Sequence, residues 1–340
     1  MYHRYGPPDV LSVEDVEKPA PKDDMVLVRV HAASINAADR VLLRGKPFIM
    51  RLAIGLWTPK HPILGFDVAG RVEAVGRRVE TFRAGDDVFG ASRFGGFAQY
   101  VCVSERTLVT KPPDVSFDQA AATPTAAYTA LQAIGKRGRL RPGEKVLVDG
   151  ASGGVGTFAV QLAKAFGAEV TAVCSTRNVE IARSIGADHV IDYSQEDFTR
   201  SDRRYDLIIG ANAYRPISDY AGALASNGTY VMSGGGGRQI VQAMFQGLWL
   251  SKTGNKTLGN IMATAQKADL LVVKELLETG KIAPVIERTC SLSDVPDAIR
   301  RMESEHARGK TVITILTPCD TAPNQKGVPV TGGGKATRKP

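Results

Sequence analysis

The sequence lacks any run approaching the roughly 18 apolar residues that a membrane-spanning helix needs, and its first residues (MYHRYGPPD) contain no apolar signal core. We therefore expect a cytoplasmic protein with no membrane partner. Cysteine is sparse: Cys102, Cys174, Cys290 and Cys319 form no CxxC pair, which argues against a disulfide framework and against a cysteine-rich zinc site. The five histidines, His3, His31, His61, His189 and His306, show no metal-ligand spacing. Internal repeats are absent as well. Charge is the one compositional departure, with 43 basic against 35 acidic residues giving +8. Lys326, Lys335, Arg338 and Lys339 concentrate part of that excess after residue 316, and no recognition motif accompanies it, so no nucleic-acid partner is expected.

What is present is a chain of 340 residues with 43% hydrophobic and 23% charged residues, enough for two domains. Up to residue 112 it reads as short strands at 26–33, 67–75, 87–90 and 97–103 separated by Gly/Pro turns. Pro112 and Pro113 close that region, and Ser116 with Gln119 forms a capping-box pattern opening a helix through an alanine-rich run. From residue 144 the pattern changes to apolar strands (145–149, 169–173, 189–191, 206–210, 229–232) alternating with helices at 154–166, 178–185 and 217–225. Strands that are apolar on both faces, separated by helices, indicate an α/β doubly wound parallel sheet of the Rossmann type. Helical patterns at 267–279 and 294–305 and a strand at 311–315 follow, and that last strand has no local partner. Its return to the first domain would make that domain discontinuous. The expected boundaries are 1–122 and 266–316 for the strand-rich domain, 123–265 for the Rossmann domain and 317–340 for a disordered tail.

The strand KVLVD runs straight into Gly150-Ala151-Ser152-Gly153-Gly154-Val155-Gly156 and then into the helix TFAVQLAKAF. Glycines at such a place allow a tight turn and close backbone approach, while the helix N-terminus offers unsatisfied N–H groups to a diphosphate. Ser152, Gly153, Gly154 and Val155 are the expected cradle. The residue about 20 positions beyond the glycines separates the two nicotinamide dinucleotides: a carboxylate there accepts the ribose hydroxyls of NADH and repels a 2′-phosphate. Ser175 stands at that place, followed by Thr176, Arg177 and Asn178. Donors without an opposing negative charge predict NADPH. Tyr193 is placed to flank the adenosine half. Asn212, Ser233 and the glycines at 234–237 follow the fourth and fifth strands, where ligands of this fold gather.

Taken in order, the motifs RYGPPDVL, VHAASINAADRVLLRG, PILGFDVAGRVEAVG, FGGFAQYV, LVDGASGGVGTFAVQLAK, GADHVIDY, GKIAPVIERTCSLSDVPDAIRRME and ARGKTVIT resemble the medium-chain dehydrogenase/reductase superfamily, in its zinc-free quinone oxidoreductase (zeta-crystallin-like) branch. The resemblance spans residues 5–316. It implies a GroES-like catalytic domain, NADPH-dependent reduction of a quinone or an α,β-unsaturated carbonyl, and a homodimer. Relatives usually carry an apolar strand ahead of RYGPP, and this chain begins almost inside that segment; with a truncated or misassigned start, one sheet edge is expected to go unpaired.

Zinc alcohol dehydrogenases of the superfamily hold a catalytic metal at places that differ here. Asn36 stands for the first ligand Cys, Ala38 for the relay hydroxyl, Phe66 for the His of Gly65-Phe66-Asp67, and Thr125 matches the third ligand. The cysteine-bearing structural-zinc lobe is missing too. The resemblance puts Asn36 beside the nicotinamide, donating to the acceptor oxygen or orienting the carboxamide, with a capped turn as the alternative. Thr129 is placed to touch the nicotinamide, and Lys310 in ARGKTV to help neutralise phosphate. Val41 replaces a tyrosine near the substrate, and no catalytic acid is assigned, so solvent protonates the product. Alcohol or aldehyde interconversion and non-catalytic NADPH binding are the alternatives to quinone or enone reduction.

Overall fold

In the computed structural model the described residues are 1–235, 239, 255–305 and 307–315, so the expected tail and the glycines at 236 and 237 lie outside them. Two sheets organise the chain. The first contains β1 (Met25–Ser34), β2 (Asp67–Val75), β3 (Asp87–Ala91), β4 (Tyr100–Ser104) and β5 (Leu108–Thr110). The chain later returns to it with β12 (Ile286–Ser291) and β13 (Lys310–Thr314), giving the order β12-β13-β1-β2-β3-β5 with β4 paired to β1. The unpartnered last strand thus finds its edge on β1, antiparallel, with Ser34 opposite Val312, and the domain is discontinuous.

The second sheet holds β6 (Lys145–Asp149), β7 (Glu169–Cys174), β8 (His189–Asp192), β9 (Tyr205–Gly210), β10 (Leu224–Met232) and β11 (Thr257–Asn260). Its order is β11-β10-β9-β6-β7-β8, and every neighbouring pair is parallel. The strand order therefore reverses between β6 and β9, which opens a crevice at their carboxyl ends, where doubly wound sheets bind ligands. Val146, Leu147, Val148, Leu207, Ile208 and Ile209 are fully buried because helices cover both faces.

The capping box forms as expected, Ser116 and Gln119 each accepting from the other's backbone N–H. The alanine-rich helix does not run on unbroken. It stops at Phe117–Ala121 and resumes as Pro124–Gln132, because Pro124 has no N–H to donate to the carbonyl four residues back. This break sets Thr125 and Thr129, four residues apart, on one face of the second helix. Helix Lys267–Glu278, expected to belong with the first sheet, buries Leu270, Val273, Leu276 and Leu277 in a core that also contains Ile134, Phe158 and Leu207. The same core reaches Ala32, Phe89 and Val312 of the first sheet, so the two domains share apolar packing.

Candidate active site

The glycine turn is shaped by contacts that admit no side chain. Gly150 has φ +82°, and a Cβ there would lie 2.6 Å from Asn212 Cβ. A Cβ on Gly156 would lie 2.1 Å from the Gly150 carbonyl oxygen, so only glycine lets the helix seat on the turn. Helix Gly154–Ala165 begins at Gly153, and its ladder starts with the Thr157 N–H donating to Gly153 O at 2.9 Å. The N–H groups of Gly154, Val155 and Gly156 precede that bond and point from the helix N-terminus, which is the anion-binding end. Across the crevice, Ala211 and Asn212 donate N–H bonds to Asp149 O, and Ser233 donates to Gly210 O at 2.9 Å. Ser152, Asn212 and Ser233 are therefore gathered at the ends of three adjacent strands, as their positions in the sequence predict.

At the far side of β7, Ser175, Thr176, Arg177 and Tyr193 line a cavity of about 400 Å³ whose other wall is Ser304 and Glu305, at the end of helix Val295–Ser304. Asn178 departs from its expected place. It is buried, its Nδ2 donating to Ser152 Oγ at 3.0 Å and Ser175 Oγ at 3.2 Å while its Oδ1 accepts from Arg308 Nε at 3.0 Å. It ties the glycine turn to the β7 terminus from behind, so its amide is committed to protein partners rather than to phosphate. Arg308 is the residue that sequence reasoning missed. It also donates to the Arg177 carbonyl at 2.9 Å, which uses two of its five N–H donors and joins it to a residue that lines the cavity. The only signal was a second cation two positions before Lys310 in ARGKTV.

The inner end of the crevice is a closed polar network. Asp67, fully buried at the start of β2, accepts at Oδ2 from Ser34 Oγ (3.0 Å), Asn36 Nδ2 (2.9 Å) and Lys310 Nζ (3.4 Å). Its Oδ1 accepts from the Thr125 backbone N–H at 2.9 Å and Thr125 Oγ1 at 2.6 Å. Lys310, 4% exposed, also donates to Asn36 Oδ1 at 2.6 Å and to Ile35 O at 3.2 Å. These donors and acceptors converge because β13, β1 and β2 are neighbours and Ser34 pairs with Asp67 across the ladder.

Lys310 thus differs from its expected phosphate role. Its stem crosses the glycine turn, 2.8 Å from where a Gly154 Cβ would sit, but its ammonium ends in the network, with three acceptors for its three protons. Burial lowers its pKa, opposed by the charges of Asp67 and Asp39. Asn36 differs as well. Its Nδ2 donates to Ser34 O at 3.3 Å as well as to Asp67, and its oxygen is taken by Lys310. The amide is held between a cation and an anion, with no N–H left for an acceptor oxygen. Thr129 is buried one helical turn beyond Thr125, on the face that meets the network.

Asp39, also fully buried, accepts from the backbone N–H of Asn36 and of Gly65, each at 2.8 Å. Burial pushes its carboxyl up to about 7, against the pull of those two N–H groups. It fixes the turn carrying Asn36 to the segment carrying Phe66. Phe66 lies against Phe94 (centroids 5.8 Å apart), and Phe94 stacks on His61 at 4.1 Å, so aromatic faces lead outward from the residue before Asp67.

Comparison with known proteins agrees with this geometry. Residues 22–113 match the alcohol dehydrogenase GroES-like domain family and residues 185–313 the zinc-binding dehydrogenase family. The chloroplastic quinone-oxidoreductase QR1 of Triphysaria versicolor is 33% identical over 314 residues, covering 88% of this chain and 92% of that protein. The chloroplastic NADPH-dependent alkenal/one oxidoreductase of Arabidopsis thaliana is 32% identical over 332 residues, covering 92% of this chain and 78% of its own. Among solved structures, the quinone oxidoreductase from Coxiella burnetii superposes with a TM-score of 0.82 at 30% identity, covering 93% of this chain and 98% of that one. With a parallel sheet of order 3-2-1-4-5-6 built for a nicotinamide dinucleotide, a discontinuous GroES-like domain and this degree of identity, the chain belongs to the medium-chain dehydrogenase/reductase superfamily, in its quinone oxidoreductase-like branch, and is an oxidoreductase.

Proposed function

We propose that the protein transfers a hydride from NADPH to a quinone or an α,β-unsaturated carbonyl without zinc. The observation that carries this reading is what occupies the places matching the zinc ligands. Phe66 has no lone pair to offer, Asn36 spends its amide on Lys310, Asp67 and Ser34 O, and Thr125 donates its hydroxyl to Asp67. A dication would have to displace the Lys310 ammonium from the same carboxylate. The donor set does not fit zinc.

The residues do fit NADPH. The glycine turn offers its free N–H groups to the diphosphate, and the cavity at Ser175, Arg177 and Tyr193, with Arg308 behind it, suits a 2′-phosphate. When bound, the reduced nicotinamide supplies the hydride. The protein's part is to hold the ring and the acceptor in register and keep the inner end dry. Thr129 borders the nicotinamide side, while Asn36 acts as a positioning residue that holds Lys310 and Asp67 in one arrangement. A conjugated acceptor spreads the incoming charge onto its own oxygen, so it asks for orientation rather than a Lewis acid, and solvent returns the proton. The relatives' names, a quinone oxidoreductase and an alkenal/one oxidoreductase, point to the same class of acceptor. A homodimer joined through β11, the edge strand of the parallel sheet among the described residues, completes the reading.

Steady-state oxidation of NADPH and of NADH against small quinones, enones and aldehydes tests it. Turnover confined to conjugated acceptors with NADPH preferred supports it; NADH preference, aldehydes as the best acceptors, or cofactor binding without any turnover would each refute it.

A further inference from the structure

Segment 45–60 exposes far more apolar surface than its neighbours. Trp57 is 78% exposed, Ile49 71%, Leu52 69% and Phe48 58%, with Leu56 also at the surface. These residues are not scattered. A 3₁₀ turn at Phe48–Met50 continues into helix Arg51–Ile54, so Phe48, Ile49 and Leu52 fall on one face, and Leu56 and Trp57 extend it past the helix end at Gly55. The opposite face is anchored. Ile54 packs on the core of the first sheet, Tyr5 Oη donates to Gly55 O at 2.7 Å, and Arg51 Nε donates to Gly45 O at 3.0 Å with its guanidinium over the Tyr5 ring and also against Phe48, at the border of the apolar face. The apolar face is therefore a built surface, and contiguous patches of this kind on otherwise polar proteins mark interaction sites.

Its charge is one-sided. Residues 40–66 contain Arg40, Arg44, Lys46, Arg51 and Lys60 and not one Asp or Glu. Arg44 is taken by Glu303, whereas Lys46 and Lys60, which bracket the apolar segment in the sequence, are exposed. Arg93 adds a further exposed cation, packed over Phe94, the ring on which His61 stacks. A second copy docking face to face would oppose these cations to one another, which disfavours self-association. Apolar side chains with a tryptophan among them, flanked by lysines and free of carboxylates, match instead the requirements of an anionic bilayer surface: rings and aliphatic groups enter the headgroup region while ammonium groups meet phosphates.

We propose that the face formed by Phe48, Ile49, Leu52 and Trp57, with Lys46 and Lys60, seats the protein on an anionic lipid bilayer. Binding is peripheral. It needs no spanning helix, and none of the described helices is long and apolar enough to span. Peripheral binding departs from the expectation of no membrane partner, which rested only on the lack of such a segment. The proposal is independent of which acceptor the enzyme reduces.

The test is sedimentation of the full chain with phosphatidylcholine vesicles, with and without phosphatidylglycerol. Phosphatidylglycerol is expected to raise the bound fraction about tenfold at low salt, with the gain lost at high salt. Leu52→Ser with Trp57→Ser should reduce binding by about tenfold at unchanged melting temperature, whereas Val13→Ser, at an exposed valine elsewhere, should not. Lys46→Glu with Lys60→Glu is the second variant and should abolish the phosphatidylglycerol dependence. In a Trp249→Phe background, where Trp57 is the remaining tryptophan, its emission should shift to the blue only with anionic vesicles. Equal pelleting with both vesicle types, or undiminished pelleting of folded Leu52→Ser/Trp57→Ser protein, would overturn the proposal. So would self-association that disappears in that variant while wild type ignores vesicles.

Discussion

Lys310 and Arg308 stand two residues apart, yet their environments give them different work. Lys310 points inward, is almost wholly dehydrated and spends each of its donors on the chain's own oxygens. Arg308 is half-buried, fastens Asn178 and the Arg177 carbonyl, and has further N–H donors that those two bonds do not use. A buried cation is held by one geometry and is costly to disturb, because its partner would be left charged without compensation. A cation beside water is screened, is individually worth less to stability, and can be given to a ligand. The inner end of the crevice is thus internally satisfied, whereas the outer end, on the proposed reading, is where the cofactor is selected.

The largest effect should come from breaking the inner end. Lys310→Met leaves Asp67 buried without its cation and should cost about 3–5 kcal/mol of unfolding free energy. Adding Asp67→Asn should cost less than the sum of the two single changes, since the pair acts as a unit. Thermal and denaturant unfolding of the three variants measure this, and strict additivity would mean that the 3.4 Å contact contributes nothing.

At the outer end the change should appear in affinity instead of stability. Arg177→Ala and Arg308→Ala should each raise the KM for NADPH by about tenfold and leave that for NADH within about twofold. Wild-type KM for NADPH should rise with salt, as expected for charges that water can reach. Equal losses with both cofactors would place these side chains outside the 2′-phosphate pocket.

A further effect belongs to the inner end alone and depends on pH. Asp39 has its folded-state pKa raised to about 7, so the folded protein holds a proton that the unfolded chain gives up at lower pH. Its stabilising contribution is therefore complete below about pH 4 and is lost as pH rises towards 7. Melting temperature followed across that range should show this decline in wild type and not in Asp39→Asn.

What the sequence displayed best was whatever the backbone itself demands. The glycine turn was legible because Gly150 and Gly156 meet contacts that exclude a side chain, and strands 145–149 and 206–210 because burial on both faces makes them continuously apolar. Less legible was everything that depends on partners far along the chain. Lys310 meets Ile35, Asn36 and Asp67 across 275, 274 and 243 positions, and Asn178 meets Arg308 across 130. A lysine in a basic motif and an asparagine after a strand both look like ligands of phosphate until the neighbours that consume their polar atoms are seen. The helix break was open to prediction, since Pro124 sits within the alanine-rich run. The exposed face at Phe48, Ile49, Leu52 and Trp57 was not, because which side of a loop turns outward is decided by contacts such as that of Tyr5 with Gly55, 50 positions away.

The most direct measurement is turnover of NADPH with a quinone or enone by protein stripped with a strong chelator and checked for metal content. Undiminished kcat/KM at sub-stoichiometric zinc is the predicted result. Activity that vanishes on stripping and returns with added zinc would contradict the account, because it would require an ion where Lys310, Asn36 and Asp67 already satisfy one another.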